Sequence, residues 1–155
     1  MRKCIIVLLF CNVLLTSCST SIGSKDYYSY SEGVSFQVVS IQKTKTMGEG
    51  QNTTYIAPKD TRYVNLMLKF KNDTNQNQTI DFEDFYLLDK KNNKYQVTSV
   101  AQSMKLAFTD KNMEFNLKSS SSKTYIITFT PPFPKDEEIS QILVKNQTIK
   151  IQLKN

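Results

Sequence analysis

The sequence predicts an all-β chain folded as an antiparallel sandwich, and three observations carry that reading. From residue 34 onward, apolar and polar residues alternate with a period of two in one segment after another. Turn signals rich in Asn, Lys or Pro break the alternation every eight to twelve residues, the rhythm of a sandwich. Apolar spacing of the helical kind shows only at Val100, Met104, Ala107 and Phe108, so one short helix is expected near 99–108.

The elements follow in order. Val34, Phe36 and Val38 alternate with Ser35 and Gln37, and Val39 and Ile41 complete a first strand. The polar stretch MGEGQNTTYIAPKDT, Met47 to Thr61, is read as a long loop. Val64, Leu66, Leu68 and Phe70 alternate with Asn65, Met67 and Lys69 in a second strand, stopped by the turn NDTNQNQ. Ile80, Phe82 and then Phe85 to Leu88 make a third region ending at Asp89, and the turn KNNKY leads into a short strand through Tyr95 and Val97. Tyr125, Ile127 and Phe129 alternate until PPFP, 131–134, where the missing ladder donor of proline is expected to end pairing. Ile142 and Val144, then Ile149, Ile151 and Leu153, form a closing hairpin around Asn146 and Gln147. There is no repeat at a solenoid period.

Residues 1–17 have a different character. Arg2 and Lys3 precede CIIVLLFCNVLL, an apolar stretch interrupted only by Asn12. It is too short to cross a hydrocarbon core, which takes ~20 helical residues, and it has the form of a secretory signal's apolar region. It ends on Leu15-Thr16-Ser17-Cys18. This box resembles the lipobox of bacterial lipoproteins, in which an aliphatic residue and two small residues precede an obligatory cysteine. The resemblance implies that the Cys18 thiolate takes a diacylglyceryl group and that cleavage before Cys18 removes residues 1–17 as a signal peptide. It places the product in the bacterial cell envelope, held to a membrane by a double acyl anchor worth ~0.8 kcal/mol per buried CH₂. Ser19 in place of Asp implies the outer membrane, where the cell has one. Residues 18–33, CSTSIGSKDYYSYSEG, read as a flexible tether that lets a domain of residues 34–155 stand up to ~50 Å from the bilayer.

The composition excludes whole classes of chemistry. Cleavage leaves Cys18 alone after the loss of Cys4 and Cys11, so no disulfide, CxxC pair or thiolate metal site is expected. The chain has no His and no Trp. Ser-His-Asp and Cys-His catalysis, His-ligated metals and His-based pH switching are therefore excluded. No cofactor beyond the lipid on Cys18 and no metal is expected. About 138 residues follow the signal, the length of one domain. Losing Arg2 and Lys3 lowers the formal charge from +6 to +4. The remaining basic residues are mostly scattered lysines without an Arg cluster, so no nucleic-acid partner is expected.

A second resemblance lies in YVNLMLKFKNDTNQNQTIDFEDFYLLDKKNNKYQV, Tyr63 to Val97, and in the later LKSSSSKTYIITFTPPFP. An alternating strand ending in Asn, a polar turn, an aromatic-rich strand ending in Asp and a turn into Tyr together resemble the DUF4352 group of Ig-like bacterial exported proteins. The resemblance spans Val34 to Leu153 and implies an Ig-like antiparallel β-sandwich with no catalytic residues to carry over. The chain departs from that group at Asn92-Asn93 and at Ser119 to Ser122, where glycine is usual; Asn tolerates left-handed backbone.

The candidate sites are few. Tyr27, Tyr28 and Tyr30 in the tether, Tyr55 in the long loop and Phe133 in PPFP are candidates for partner contact, the first three also for lipid headgroups. The plainer readings pack the tether tyrosines on the domain edge and plug the sandwich end with Phe133. Asp81, Glu83 and Asp84 form the densest carboxylate group; alternation puts Asp81 and Glu83 on one face and Asp84 with Phe82 on the other. Such a pair could do acid–base work, or bind calcium with Asp89, but charges on a strand usually mark its wet side. The Asn-x-Ser/Thr sequons at Asn52, Asn72, Asn77 and Asn146 reflect an Asn-rich composition. The expected function is a non-enzymatic, lipid-anchored binding module with an envelope or extracellular protein as partner. The alternatives are an envelope inhibitor or immunity protein that inserts loop 47–61 or 131–138 into a hydrolase, and a structural or adhesion lipoprotein.

Overall fold

The computed structural model describes residues 20–49, 53–102 and 113–151. Within them every element is a strand except one short 3₁₀ turn, Phe82–Asp84. In chain order the strands are β1 (Thr20–Ile22), β2 (Tyr27–Ser31), β3 (Val34–Thr44), β4 (Thr46–Glu49), β5 (Thr53–Ile56), β6 (Thr61–Asn72) and β7 (Gln78–Asp81). They continue as β8 (Phe85–Leu88), β9 (Lys94–Gln102), β10 (Glu114–Leu117), β11 (Ser122–Pro134), β12 (Gln141–Val144) and β13 (Gln147–Lys150). One antiparallel sheet runs β1-β3-β6-β11-β9-β8-β12-β13, with β2 beside β1 along the outer edge of β3. β7 pairs with β10, and β4 with β5, as two small separate ladders.

The sheet folds over into two layers. β3 and β8 are four places apart in the order, which in a flat sheet is about 19 Å. Yet Phe85 of β8 lies 5.5 Å from Phe36 of β3 and 5.9 Å from Phe70 of β6, ring centre to ring centre. The inward residues of the alternating strands fill the space between: Val34, Phe36 and Val38; Leu66, Leu68 and Phe70; Tyr125, Ile127 and Phe129. Deleting one such ring, as in Phe70→Ala, typically costs about 3–5 kcal/mol. This is the antiparallel sandwich that the alternation predicts.

Bulges make the turning possible and disturb the period. In β3 the register against β6 skips Val39, which is 37% exposed, and Ile41 rather than Ser40 returns to the core. In β9 the extra residue is Thr98, so Val97 and Val100 are both buried although three residues apart. Ser99 to Gln102, part of the stretch where a helix is expected, are strand. Residues 103–108 lie outside the described residues. PPFP also behaves otherwise than expected. β11 bulges past Pro131 and Pro132, then resumes pairing at Phe133 opposite Arg62 and Pro134 opposite Thr61.

The segment read as a tether is largely sheet. β1 and β2 both hydrogen-bond to β3, and a bulge between Ser29 and Ser31 turns Tyr30 into the core, stacked on Phe85 at 5.7 Å. The turn Glu32-Gly33 between β2 and β3 needs glycine. Gly33 has φ +67°, and a Cβ there would sit 2.3 Å from Thr74 Cγ2. Short polar strands are invisible to periodicity because their partner, not their own pattern, orders them.

The two ends of the sandwich differ in make-up. At one, called the near end, β3, β8, β11 and β13 finish and β6, β9 and β12 begin. At the far end, β6 finishes beside the starts of β3 and β11. Asn72 closes the far end. It is buried, its amide donates to the carbonyls of Gln76 at 2.8 Å, Lys118 at 3.0 Å and Leu117 at 3.3 Å, and its carbonyl accepts from Thr74 N and Oγ1.

Candidate functional site

The residues singled out from the sequence separate in space. Tyr30 is buried: its hydroxyl donates to Asp84 Oδ2 at 3.0 Å and accepts from Asp81 N at 2.9 Å, while Lys145 Nζ lies 3.9 Å over its ring. Burial pushes the Tyr30 hydroxyl well above its ordinary pKa, and the bond to Asp84 adds to the rise. Tyr30 is therefore a latch from β2 to the β12–β13 turn and not a partner contact. Tyr28 is half-buried against Phe36 at 5.6 Å. Tyr27 stays exposed on β2. Phe133 is buried beneath Lys43 and Tyr95, 4.9 Å from the Tyr95 ring, so it plugs the near end and is not a partner contact. Cys18 lies outside the described residues.

The carboxylates also part company. The 3₁₀ turn breaks the alternation expected across Asp81 to Asp84: Asp81 caps it by accepting from Glu83 N at 2.9 Å, and Asp84 turns to Tyr30 and Lys145. Asp89 is buried and accepts from Lys91 N and Asn93 N at 2.8 Å, Asn93 Nδ2 at 2.7 Å and Tyr95 OH at 3.2 Å. Burial pushes its pKa up, but these bonds outweigh burial and hold it below the ordinary carboxylate value. They shape the 89–93 turn, in which Asn92 takes φ 62°. No group of three or more Cys, His, Asp or Glu side chains among the described residues is placed to hold a metal.

The 131–138 stretch is held down rather than presented. Lys43 Nζ donates to the carbonyls of Lys135 at 3.0 Å, Pro134 at 3.4 Å and Glu137, and burial lowers its pKa. Lys135 N–H in turn donates to Asp60 O at 2.9 Å.

What projects is the other loop of interest, which is a hairpin. β4 and β5 pair Met47 with Tyr55 and Gly48 with Thr54, and Ala57 N–H donates to Lys45 O at 2.8 Å to close its base. The hairpin leans on the outer face of the main sheet and leaves a cleft of about 230 Å³. Met47, Tyr55 and Tyr63 supply apolar walls, and Thr98, Ser99 and Thr130 supply hydroxyls. A Cβ at Gly48, on the lip, would meet nothing within 4 Å. Tyr55 is 43% and Ile56 67% exposed, the two large apolar side chains at this end that the fold leaves in water. Sequence reading marked the stretch 47–61 and, within it, Tyr55 by name; it missed Tyr63 and the hydroxyls of Thr98, Ser99 and Thr130. The available signal was TMGE and TTYI, two short threonine-led runs on either side of the sequence Gly-Gln-Asn.

No family model and no curated protein matches the chain. Among solved structures, it is similar to a functionally unknown protein from Listeria monocytogenes, with a TM-score of 0.52 and 13% identity over 80% of this chain and 71% of that one. An uncharacterized β-sandwich protein from Clostridium difficile gives a TM-score of 0.47 and 12% identity over 76% of this chain and 80% of that one. At such identity the first likeness bears on the fold alone. No helix among the described residues is long and apolar enough to cross a membrane.

Proposed function

We propose that this chain is a lipid-anchored module of the bacterial envelope, an Ig-like domain of the DUF4352 kind that works by contact and not by catalysis. Leu15-Thr16-Ser17-Cys18 after a charged start and a short apolar run supports the anchor. The observation that carries the contact role is the β4–β5 hairpin, which leaves Ile56 in water and sets Tyr55, partly exposed, in the wall of a cleft with apolar sides and hydroxyls. Exposed aromatic and aliphatic anchors beside a concave surface are what an interaction site needs, and a sheet-backed hairpin presents them at low entropic cost.

The anchor is tested by mass spectrometry of the N-terminal peptide of the native protein, with a diacylglyceryl-modified Cys18 expected. Cys18→Ala should move the protein out of the membrane fraction, and an unmodified thiol at Cys18 in native material refutes the anchor. The contact role is tested by envelope retention of the Tyr55→Ala, Ile56→Ser double variant, which should fold normally and be released more readily by salt. An inhibitor using the same hairpin would instead bring down one hydrolase in stoichiometric amount.

A further inference from the structure

β1 and the β4–β5 hairpin share one end of the sandwich. β1 runs antiparallel to β3 with Thr20 opposite Gln42 and Ile22 opposite Ser40. Thr20, the first described residue, therefore lies toward the end of β3 from which the β4–β5 hairpin emerges. Cys18 precedes Thr20 by two residues, which span at most ~7 Å. A domain tied this closely cannot stand off from the surface that holds Cys18.

The near end suits such a surface chemically. Besides Tyr55 and Ile56, it exposes Lys45, Lys59, Lys90, Lys91, Lys94 and Lys135 against the carboxylates of Asp60, Asp136, Glu138 and the half-buried Glu137. The ladders bring these distant lysines together: Lys94 lies opposite Leu88, Lys135 N–H reaches Asp60 O, and Lys90 N–H reaches Glu137 Oε1. At the far end, by contrast, Lys71 is paired with Asp73 at 2.8 Å, and Lys145 lies 3.9 Å from Asp84.

We infer that the near end docks on the anionic face of the bilayer that carries the anchor, with Ile56 entering the headgroup layer and the lysine ring over it. The inference rests on lipidation of Cys18 and names the occupant of the hairpin surface. Tyrosine and aliphatic side chains suit the interfacial zone, lysines are drawn to anionic headgroups, and the surface adds a further membrane contact to the acyl chains.

The chain has no tryptophan, so Ile56→Trp is a reporter without background. The full lipidated chain carrying it is reconstituted into protein-free vesicles of phosphatidylglycerol and phosphatidylcholine, with and without brominated acyl chains. Lys118→Trp, at the far end, serves as the control. The expected result is a blue-shifted, severalfold-quenched emission for Ile56→Trp, weakened by high salt or by all-phosphatidylcholine vesicles, with Lys118→Trp unaffected. Lipid found on Cys18 together with an unquenched Ile56→Trp overturns the docking and leaves the anchor standing. An unmodified Cys18 overturns both. A blue shift that needs added envelope protein and is absent from protein-free vesicles assigns the surface to a protein partner and likewise overturns the docking.

Discussion

The far end and the near end of the sandwich use polar residues in opposite ways. At the far end they face one another: Asn72 ties three carbonyls and a threonine together, Ser120 N–H donates to Thr74 O at 3.0 Å, and Ser119 N–H donates to Asn77 Oδ1 at 3.0 Å. At the near end Asp89 locks its own turn and Lys43 the 134–137 segment, but the hairpin beside them keeps Ile56, near its base, in water. The far end is thus spent on holding the fold, while part of the near end is left over for contact. Burial of Asn72 also explains why its sequon is composition: a side chain 1% exposed offers no glycan site.

Mutations at the two ends should therefore separate stability from binding. The largest effect is expected from Asn72→Ala, which strands the buried Leu117 carbonyl and two part-buried ones and should cost about 2–3 kcal/mol by urea denaturation. A loss below ~1 kcal/mol would mean that the far end is not closed by this side chain. Tyr30→Phe comes next. It removes the hydroxyl that Asp84 and Asp81 N share and should lower stability by about 1–2 kcal/mol, most visibly as faster hydrogen exchange in β2.

Asp89 gives a pH signature at the near end. Its pKa is depressed on folding, so its contribution is complete above the unfolded value of ~3.9 and fades as pH falls toward the folded value. The unfolding midpoint of the wild type should drop below about pH 4, and Asp89→Asn should be less stable at neutrality yet flatter through that window. Equal slopes for the two proteins would remove Asp89 from the account.

The smallest effects sharpen the contrast. Tyr125 OH is buried with no hydrogen-bond partner among the described residues, and burial pushes its pKa up to about 12. Tyr125→Phe should be neutral or stabilise by up to ~1 kcal/mol, read from the thermal midpoint. Ile56→Ser should change stability by no more than ~0.5 kcal/mol in either direction while altering contact, which is what distinguishes a surface from a core.

Much of the sandwich was legible because its long strands alternate: Leu66, Leu68 and Phe70, or Tyr125, Ile127 and Phe129, announce one buried face each. The misreadings share one cause. A bulge at Thr98 puts Val100 out of phase with Tyr95 and Val97, and the bulge past PPFP lets a proline run stay in a ladder. β1, β2 and β10 carry too few apolar residues to declare themselves, although Ser31-Glu-Gly-Val34 is a hairpin signal that marks the β2–β3 turn. Of the candidate surface, the stretch 47–61 with Tyr55 was readable. Its companions Tyr63, Thr98, Ser99 and Thr130 were not, since they meet it only when the hairpin folds back.

The sequence alone determined the class of fold, the absence of histidine chemistry and the expectation of a lipidated Cys18, because each depends on residue identity or on spacing along the chain. Which residues share an end of the molecule was decided by the tertiary structure. Register in an antiparallel sheet is set by partners tens of residues away, so only the folded ladders bring Thr20, the hairpin and six scattered lysines to one face.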